Sequence, residues 1–208
     1  MYGSDLFEIL WKFDLSGPSI ASWSVSRLAV LKDGAGGAQP VAVAPELGNV
    51  DGRPLVSLGT GKLLGDSDIA DASVQSMYTM LDDGTALADV RGGALVRRTA
   101  VVTGSENRTI TGDPIDYAAK RGWYFDLPGS GERANTDPSI AFGALVFTTN
   151  QPSPIECSSK NFIYVVDQQQ GVQAPDRNFD TVTGLPWAGL YLGTTIASRP
   201  VLVALATG

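Results

Sequence analysis

Three aspartates near residue 70 have part of the spacing of a calcium-binding loop. Asp66, Asp68 and Asp71 stand in the run DSDIAD, and the first two fall at positions one and three of such a loop. Position five would be Ala70 and position twelve Met77, so the closing bidentate carboxylate is missing. We therefore expect Asp66 and Asp68 to cap or solvate a turn, with a metal site at the three aspartates as the alternative.

A glycine-rich segment, Gly59-Thr60-Gly61-Lys62, has the composition of a phosphate-binding loop. That motif requires a glycine five residues before Gly61, where Val56 stands, and a serine or threonine after the lysine, where Leu63 stands. Both requirements fail. The segment instead predicts a glycine-rich bend that follows a strand at Leu55–Leu58.

The amino-acid composition excludes several common catalytic sets. The 208 residues include no histidine and one cysteine, Cys157. Ser-His-Asp and Cys-His arrangements are therefore excluded, and one cysteine cannot complete a Cys/His zinc site. The adjacent residues Glu132 and Arg133 have no nucleophile beside them in the sequence. We expect them to form a local ion pair or to join a polar network between strands.

The charge and hydropathy patterns narrow the classes of partner. The net charge is -7 and the sequence has no basic block, which argues against a nucleic-acid partner. Apolar runs such as residues 144–147 are far shorter than the roughly 20 residues of a membrane-spanning helix. Residues 1–15 lack the pattern of a secretory signal, so we expect the chain to be part of a larger protein. The single cysteine fits a reducing cytosol and an exported protein equally well.

An aromatic-apolar-aspartate phrase recurs along the chain. Its copies start at Trp11, Tyr78, Trp123 and Tyr164. The intervals between the last three copies match the roughly 40 to 50 residues of a four-stranded propeller blade. Short Val-, Phe- and Thr-rich runs predict strands, and helical turns are expected only within Asp68–Met80 and Ile115–Lys120. The sequence predicts an all-β fold, a partial and modified β-propeller of antiparallel four-stranded blades with long inserted loops and few short helices.

Strand geometry assigns roles to the residues of the phrase. In an extended strand Trp123 and Phe125 share one face, and Tyr124 and Asp126 share the other. Two rings on one face can anchor one sheet on the next. Asp126 precedes a glycine-containing turn, and we expect it to accept bonds from the N–H groups of that turn. The same roles are expected in the first copy for Trp11, Phe13 and Asp14.

Four motifs follow one another over nearly the whole chain. They are Leu10 to Leu15; Gly59 to Leu64 followed by Ser73 to Tyr78; Gly122 to Arg133; and Phe147-Thr148-Thr149 with Pro152 and Cys157. In order and spacing this series resembles the C-terminal β-propeller domain of the PilY-type type IV pilus assembly proteins, which are tip-associated adhesins. The resemblance implies that residues 1–208 are a portion of a single domain of this kind.

The resemblance implies a non-enzymatic, exported protein located at the cell surface, the outer membrane or the pilus tip. Its implied roles are pilus assembly, control of retraction, twitching motility and surface attachment, with minor and major pilins and a host or abiotic surface as partners. It implies no cofactor in this chain, because the calcium loop of the family would lie upstream of Tyr2. The structural motif residues it implies are Trp11, Phe13, Asp14, Gly59, Gly61, Lys62, Gln75, Tyr78, Trp123, Phe125, Asp126, Gly131, Glu132 and Arg133.

Two other classes of propeller remain as alternatives. Pyrroloquinoline-quinone dehydrogenases repeat similar aromatic-apolar-aspartate phrases, although their calcium and quinone ligands cannot be assigned here. The other alternative is a scaffold propeller of outer-membrane protein assembly. The PilY-type resemblance also implies that the chain is a partial propeller with open strand edges, so we expect the isolated chain to be marginally stable or to associate.

Overall fold

Strands make up almost all of the regular structure in the computed structural model, which describes residues 1–104, 106–155, 158–174 and 187–203. The strands, in chain order, are β1 (Tyr2–Ser4), β2 (Ile9–Asp14), β3 (Ser24–Val30), β4 (Glu46–Val50), β5 (Arg53–Gly59), β6 (Ser76–Leu81), β7 (Val96–Arg97), β8 (Thr99–Thr103), β9 (Asn107–Thr111), β10 (Gly122–Asp126), β11 (Ser139–Ala141), β12 (Ala144–Gln151), β13 (Lys160–Asp167) and β14 (Gly189–Gly193). Helical structure in these ranges consists of a 3-10 turn at Ile20–Ser22 and one α-helical turn, α1 (Asp66–Ile69). Neither of these short helices has the length and apolar character required to cross a membrane.

The described strands form three sheets. Their strand orders are β1-β2-β3, β4-β5-β6-β10-β7 and β11-β12-β13-β14-β9-β8. Nearly all neighbours are antiparallel, and β7 and β10 are a parallel pair. The all-β architecture agrees with the sequence prediction, but sheets of three, five and six strands replace the expected blades of four.

The repeated phrase does not mark one blade per copy. The copies that start at Tyr78 and Trp123 lie on β6 and β10, which are antiparallel neighbours in one sheet with Tyr124 opposite Tyr78. The two strands share the phrase because each is buried on both faces of the same central sheet. The interval from Tyr78 to Trp123 therefore measures the return to a neighbouring strand, whereas the copies at Trp11 and Tyr164 lie in the other two sheets, on β2 and β13.

The predicted helical turns form only in part. Within Asp68–Met80 the helix ends at Ile69, and the residues from Ser76 onward form the fully buried strand β6. Ile115–Lys120 forms turns and no helix. The residues of β6 are buried on both faces of the sheet. This burial outweighs their weak helical pattern, because a largely apolar run fits a central strand.

Two apolar cores lie on opposite faces of the five-stranded sheet. Trp123 and Phe125 face the core shared with the six-stranded sheet, and their rings stack with centroids 5.7 Å apart. Tyr124 and Tyr78 face the second core, which is shared with the N-terminal sheet. The predicted division of side chains between the two faces of β10 is confirmed.

Trp11 and Phe13 do not have the buried positions predicted for them. Both are only half-buried, and Trp11 donates its indole N–H to Asp5 at 3.0 Å. The neighbouring Leu10 is the residue of β2 that enters the core, with no exposed surface. Since alternate residues of a strand face opposite ways, the face of Trp11 is the less covered one.

A single extended segment belongs to two sheets. β7 pairs with β10 in the five-stranded sheet, and β8 pairs with β9 in the six-stranded sheet. Only Arg98 separates them, and its N–H donates to the carbonyl of Tyr124 at 2.7 Å. This segment positions β9, and with it Arg108, beside the core described above.

Candidate functional site

Glu132 is the centre of a buried polar network between the two larger sheets. Its side chain has no exposed surface. One carboxylate oxygen accepts the hydroxyls of Thr149 and Tyr164, each at 2.7 Å. The other oxygen accepts the N–H of Gly129 at 2.9 Å and Nη2 of Arg108 at 3.2 Å. Every hydrogen bond of the carboxylate is therefore made inside the protein.

Arg108 supplies the positive charge that compensates Glu132. Its side chain is 1% exposed, it also donates to the carbonyl of Glu106, and its guanidinium lies 3.9 Å from the centroid of the Phe162 ring. Burial and the Glu132 carboxylate together raise the pKa of the Tyr164 hydroxyl well above its ordinary value, so this group stays a donor. The geometry describes a fixed structural pair rather than a proton-transfer site.

Arg133 points away from Glu132, so the predicted local ion pair between these neighbours does not form. The Arg133 side chain is buried and donates to four backbone carbonyls: those of Gly131, Lys62, Asp68 and Asp71. The alternative prediction, a polar network between strands, is the one that the structure shows. Adjacent residues of an extended chain face opposite ways, which sends the two charges into separate networks.

The glycine-rich bend packs directly on Arg133. Gly61 has φ +106°, and a Cβ at this position would lie 2.3 Å from the Cβ of Arg133. Gly59 has the same relation to Ala134, where the distance would also be 2.3 Å. The predicted strand before the glycines is confirmed as β5, and both positions require glycine because residues 133 and 134 approach so closely.

Gln75 completes this junction of motifs. Its side-chain Nε2 donates to Ser73 at 2.8 Å, and its buried Oε1 has no hydrogen-bond partner. The Gln75 Cγ would lie 3.1 Å from a Cβ on Gly61. The glycine bend, Gln75 and the segment Gly131-Glu132-Arg133 thus meet at one place, although the sequence separates them.

Two of the three candidate metal ligands, Asp68 and Asp71, bond backbone groups of the same junction. Asp68 accepts the N–H groups of Leu64 and Gly65, and its other oxygen lies 3.0 Å from Nζ of Lys62. The Leu64 N–H and the Lys62 ammonium hold the pKa of Asp68 below its ordinary value. Asp71 accepts the N–H of Ser73.

This arrangement does not fit a calcium site. Asp66 begins α1 and is exposed, whereas both carboxylate oxygens of Asp68 are already occupied by the contacts described above. Among the described residues, no group of three or more His, Cys, Asp or Glu side chains is placed to hold a metal ion. The single cysteine, Cys157, lies outside the described residues.

Asp126 makes an ion pair instead of the predicted turn bonds. It accepts Nη2 of Arg91 at 2.6 Å and the hydroxyl of Ser76 at 2.7 Å. Burial alone would raise the pKa of Asp126, but these two donors lower it overall. Asp14, the counterpart in the first copy, does accept the N–H of Ser16 at 3.0 Å, as predicted.

Arg91 and Tyr124 form one wall of a surface cleft of about 470 Å³. The Arg91 guanidinium lies 4.6 Å from the centroid of the Tyr124 ring. Behind it, Tyr78 donates its hydroxyl to Gln39 at 2.6 Å, and burial raises the pKa of Tyr78 to about 12. The donors of Arg91 are used by Asp126, Ser76, Tyr78 and the Lys32 carbonyl.

Sequence reasoning missed several residues of these networks. Arg108 and Arg91 belong to no motif, and Thr149 belongs to the fourth motif but was given no role there. For Arg108 one signal was present, because it alternates with Ile110 on a short strand and thus shares its inward face. A charge on the apolar face of a strand indicates a buried partner.

The fold and these networks define an all-β, β-propeller-like domain whose three sheets do not close into a ring. The chain is similar to the crystal structure of the Pseudomonas aeruginosa PilY1 C-terminal domain, with a TM-score of 0.75 and 22% identity over 92% of this chain and 51% of that one. No family model matches the sequence.

Two proteins of Xylella fastidiosa (strain Temecula1 / ATCC 700964), each named type IV pilus biogenesis factor PilY1 homolog, are similar in sequence. One is 30% identical over 210 residues and the other 28% identical over 197 residues, which cover 95% and 82% of this chain. The chain spans only 17% and 13% of their lengths. These matches confirm the resemblance to the PilY-type C-terminal domain.

Proposed function

We propose that this chain is a domain of a non-enzymatic type IV pilus biogenesis factor that is exported to the cell surface. The observation that supports this most is the 30% identity over 95% of the chain to a protein named type IV pilus biogenesis factor PilY1 homolog. The proposal extends to the finer roles that the motifs suggest: pilus-tip adhesion, control of retraction and twitching motility. Its partners would be major and minor pilins and a host or abiotic surface.

The geometry of the motif residues agrees with a binding domain. Glu132 and Arg133 are adjacent charged residues of the third motif. Glu132 accepts bonds from buried hydroxyls and a buried guanidinium, and Arg133 donates to backbone carbonyls. Groups that are committed in this way hold segments together and do not reach a substrate. We therefore propose that the motifs maintain the domain and that its surface carries the contacts with pilus components, without a bound cofactor.

The test uses the full-length gene in its own bacterium. Deletion of the gene should reduce the pilin recovered by shearing from the cell surface and should abolish twitching zones, and the full-length wild-type copy should restore both. Unchanged piliation and motility in the deletion strain would overturn the proposal. Immunoblots of surface fractions test the proposed location with the same strains.

Two point variants connect the phenotype to this domain. Arg133→Met removes four carbonyl contacts and should reproduce the deletion phenotype, whereas Arg27→Met changes an exposed arginine of β3 and should behave as wild type. Normal pili and twitching with Arg133→Met, at wild-type protein level, would contradict a role for this domain.

A quinoprotein enzyme makes a different prediction. Reconstitution of the purified protein with pyrroloquinoline quinone and calcium would then give a bound redox chromophore with visible absorbance. We expect the quinone to be removed completely by gel filtration, and a retained chromophore that is reduced by an alcohol would overturn the non-enzymatic proposal.

A further inference from the structure

β8 is an open edge of the six-stranded sheet. It is the last strand in the sheet order and pairs with β9 alone, in continuous register from Thr99 opposite Thr111 to Thr103 opposite Asn107. The start of β8 lies near β10, because Arg98, the residue before it, is bonded to Tyr124. Within the part of the chain that the structure describes, no backbone hydrogen bond reaches the side of β8 that faces away from β9. Every second residue of such a strand presents its N–H and C=O groups outward, where another strand can pair with them.

The other described sheet edges are short, charged or covered. β1, β7 and β11 have three residues or fewer. β4 starts with the charged Glu46, and the carbonyl of Asn49 already accepts the side chain of Gln169. In β3, the backbone of Leu28 and Val30 is hydrogen-bonded to Leu87, and the part of the strand before them carries the charged Arg27. These are common means of protecting an edge; β8 has five uncharged residues, and no backbone bond from the described residues covers its outer side.

The sequence of β8, Thr-Ala-Val-Val-Thr, is compatible with pairing to itself. It contains no charge, proline or glycine, and Val101 and Val102 are 45% and 49% exposed. Antiparallel pairing about Val101 places Thr99 opposite Thr103 and Ala100 opposite Val102. Such Thr-Thr and Val-Val pairs stabilise neighbouring strands, and no like charges meet.

We propose that β8 pairs with β8 of a second copy of this chain, around a two-fold axis at Val101. The dimer joins two six-stranded sheets into one continuous sheet. Since the contact is one strand wide, it is small for a stable interface, and association depends on protein concentration. Each copy carries a net charge of -7, so added salt strengthens the dimer by screening the repulsion. This inference does not depend on the proposed function.

Cysteine cross-linking tests the register. In a Cys157→Ser background, which has no other cysteine, Val101→Cys places two thiols directly opposite each other across the axis. Val102→Cys is the matched control, because it is equally exposed but lies opposite Ala100. Its two copies would be about 8 Å apart, from a strand spacing of about 4.8 Å and a rise of about 3.4 Å per residue, which is too far for a disulfide.

Under mild oxidation, Val101→Cys should form a disulfide-linked dimer at least about tenfold faster than Val102→Cys. Mixing Ala100→Cys with Val102→Cys should give a heterodimer. Equal rates for Val101→Cys and Val102→Cys, or no cross-linked dimer with either, would overturn the proposed pairing.

Light scattering after size-exclusion chromatography tests the dimer without a cross-link. The native chain should show a mass that rises with concentration and with salt. Val101→Lys places like charges opposite each other and should weaken association more than about tenfold, whereas Val25→Lys, at a 57% exposed valine of β3, should not. A native chain that is monomeric throughout, or an equal effect of the two lysines, would overturn the inference. Far-UV circular dichroism identifies unfolded variants, and for these the cysteine series decides.

Discussion

Replacing Glu132 by glutamine keeps the size of the side chain but removes a buried negative charge. The carboxylate accepts bonds from Thr149, Tyr164, Gly129 and Arg108. In one orientation the new amide NH2 faces the donors of Gly129 and Arg108, and in the other it faces the two hydroxyls. In both cases Arg108, which is 1% exposed, loses its only carboxylate partner among the described residues.

The expected loss of unfolding free energy is about 3 to 5 kcal/mol, because a buried charge is left without compensation. Equilibrium urea unfolding, followed by tryptophan fluorescence, measures it. The matched control is Glu106→Gln, whose partner Lys160 is at a similar distance, 2.8 Å, but in a pair that is about 40% exposed. That variant should lose less than about 1 kcal/mol.

A double-mutant cycle separates the pair from its surroundings. Arg108→Met alone leaves the Glu132 carboxylate buried without a cation, so it should also destabilise the protein strongly. Combined with Glu132→Gln it should cost at least about 1 kcal/mol less than the sum of the two single changes. A loss below about 1 kcal/mol for Glu132→Gln, or strictly additive losses, would refute the buried-pair reasoning.

Three further predictions concern packing and pH. Trp123→Ala should lower the free energy of unfolding by about 3 to 5 kcal/mol, whereas the half-buried Trp11→Ala should cost about 1 to 2; equal losses in urea titrations would contradict the core assignment. Gly171→Ala should give a melting temperature well below that of Gly52→Ala. Both glycines have positive φ, but only a Cβ at Gly171 would lie 2.2 Å from the Trp123 ring. Equal melting temperatures of the two variants would show that the ring moves aside freely. Burial alone would raise the pKa of Asp82, but its partners Lys12 and Tyr2 lower it, so this group stabilises the fold above its unfolded pKa of about 3.9 and the contribution is lost as pH falls through the lower folded value. The Asp82→Asn variant should therefore have a flatter stability profile between about pH 5 and pH 2 than the native chain, and parallel profiles would argue against it.

Features that depend on a few consecutive residues could be predicted from the sequence. Alternation along β10 placed Trp123 and Phe125 together, and the short apolar run before the two glycines predicted the strand that ends at Gly59. Both features depend on a few consecutive residues and on backbone sterics. The strand positions of the repeated phrase were likewise readable from the sequence.

Contacts between residues that are far apart in the sequence could not be predicted from it. Glu132 meets Arg108, which is 24 residues away, and Arg133 meets the carbonyl of Lys62, which is 71 residues away. The choice between an ion pair with the neighbouring residue and bonds to distant carbonyls depends on where other strands lie. The repeat also misled the sheet assignment, because two central neighbours need the same aromatic residues as two separate blades.

The direct passage of the chain from β7 through Arg98 into β8 has a mechanical consequence. Where two sheets are joined by a long loop, they can separate as soon as their side-chain contacts break. Here a single residue, Arg98, connects a strand of one sheet to a strand of the next, so a pulling force passes directly along the backbone. The hydrogen bond from Arg98 to Tyr124 lies at this connection. Tension on either sheet is therefore passed to the backbone of the other, so the two larger sheets resist stretching as one unit.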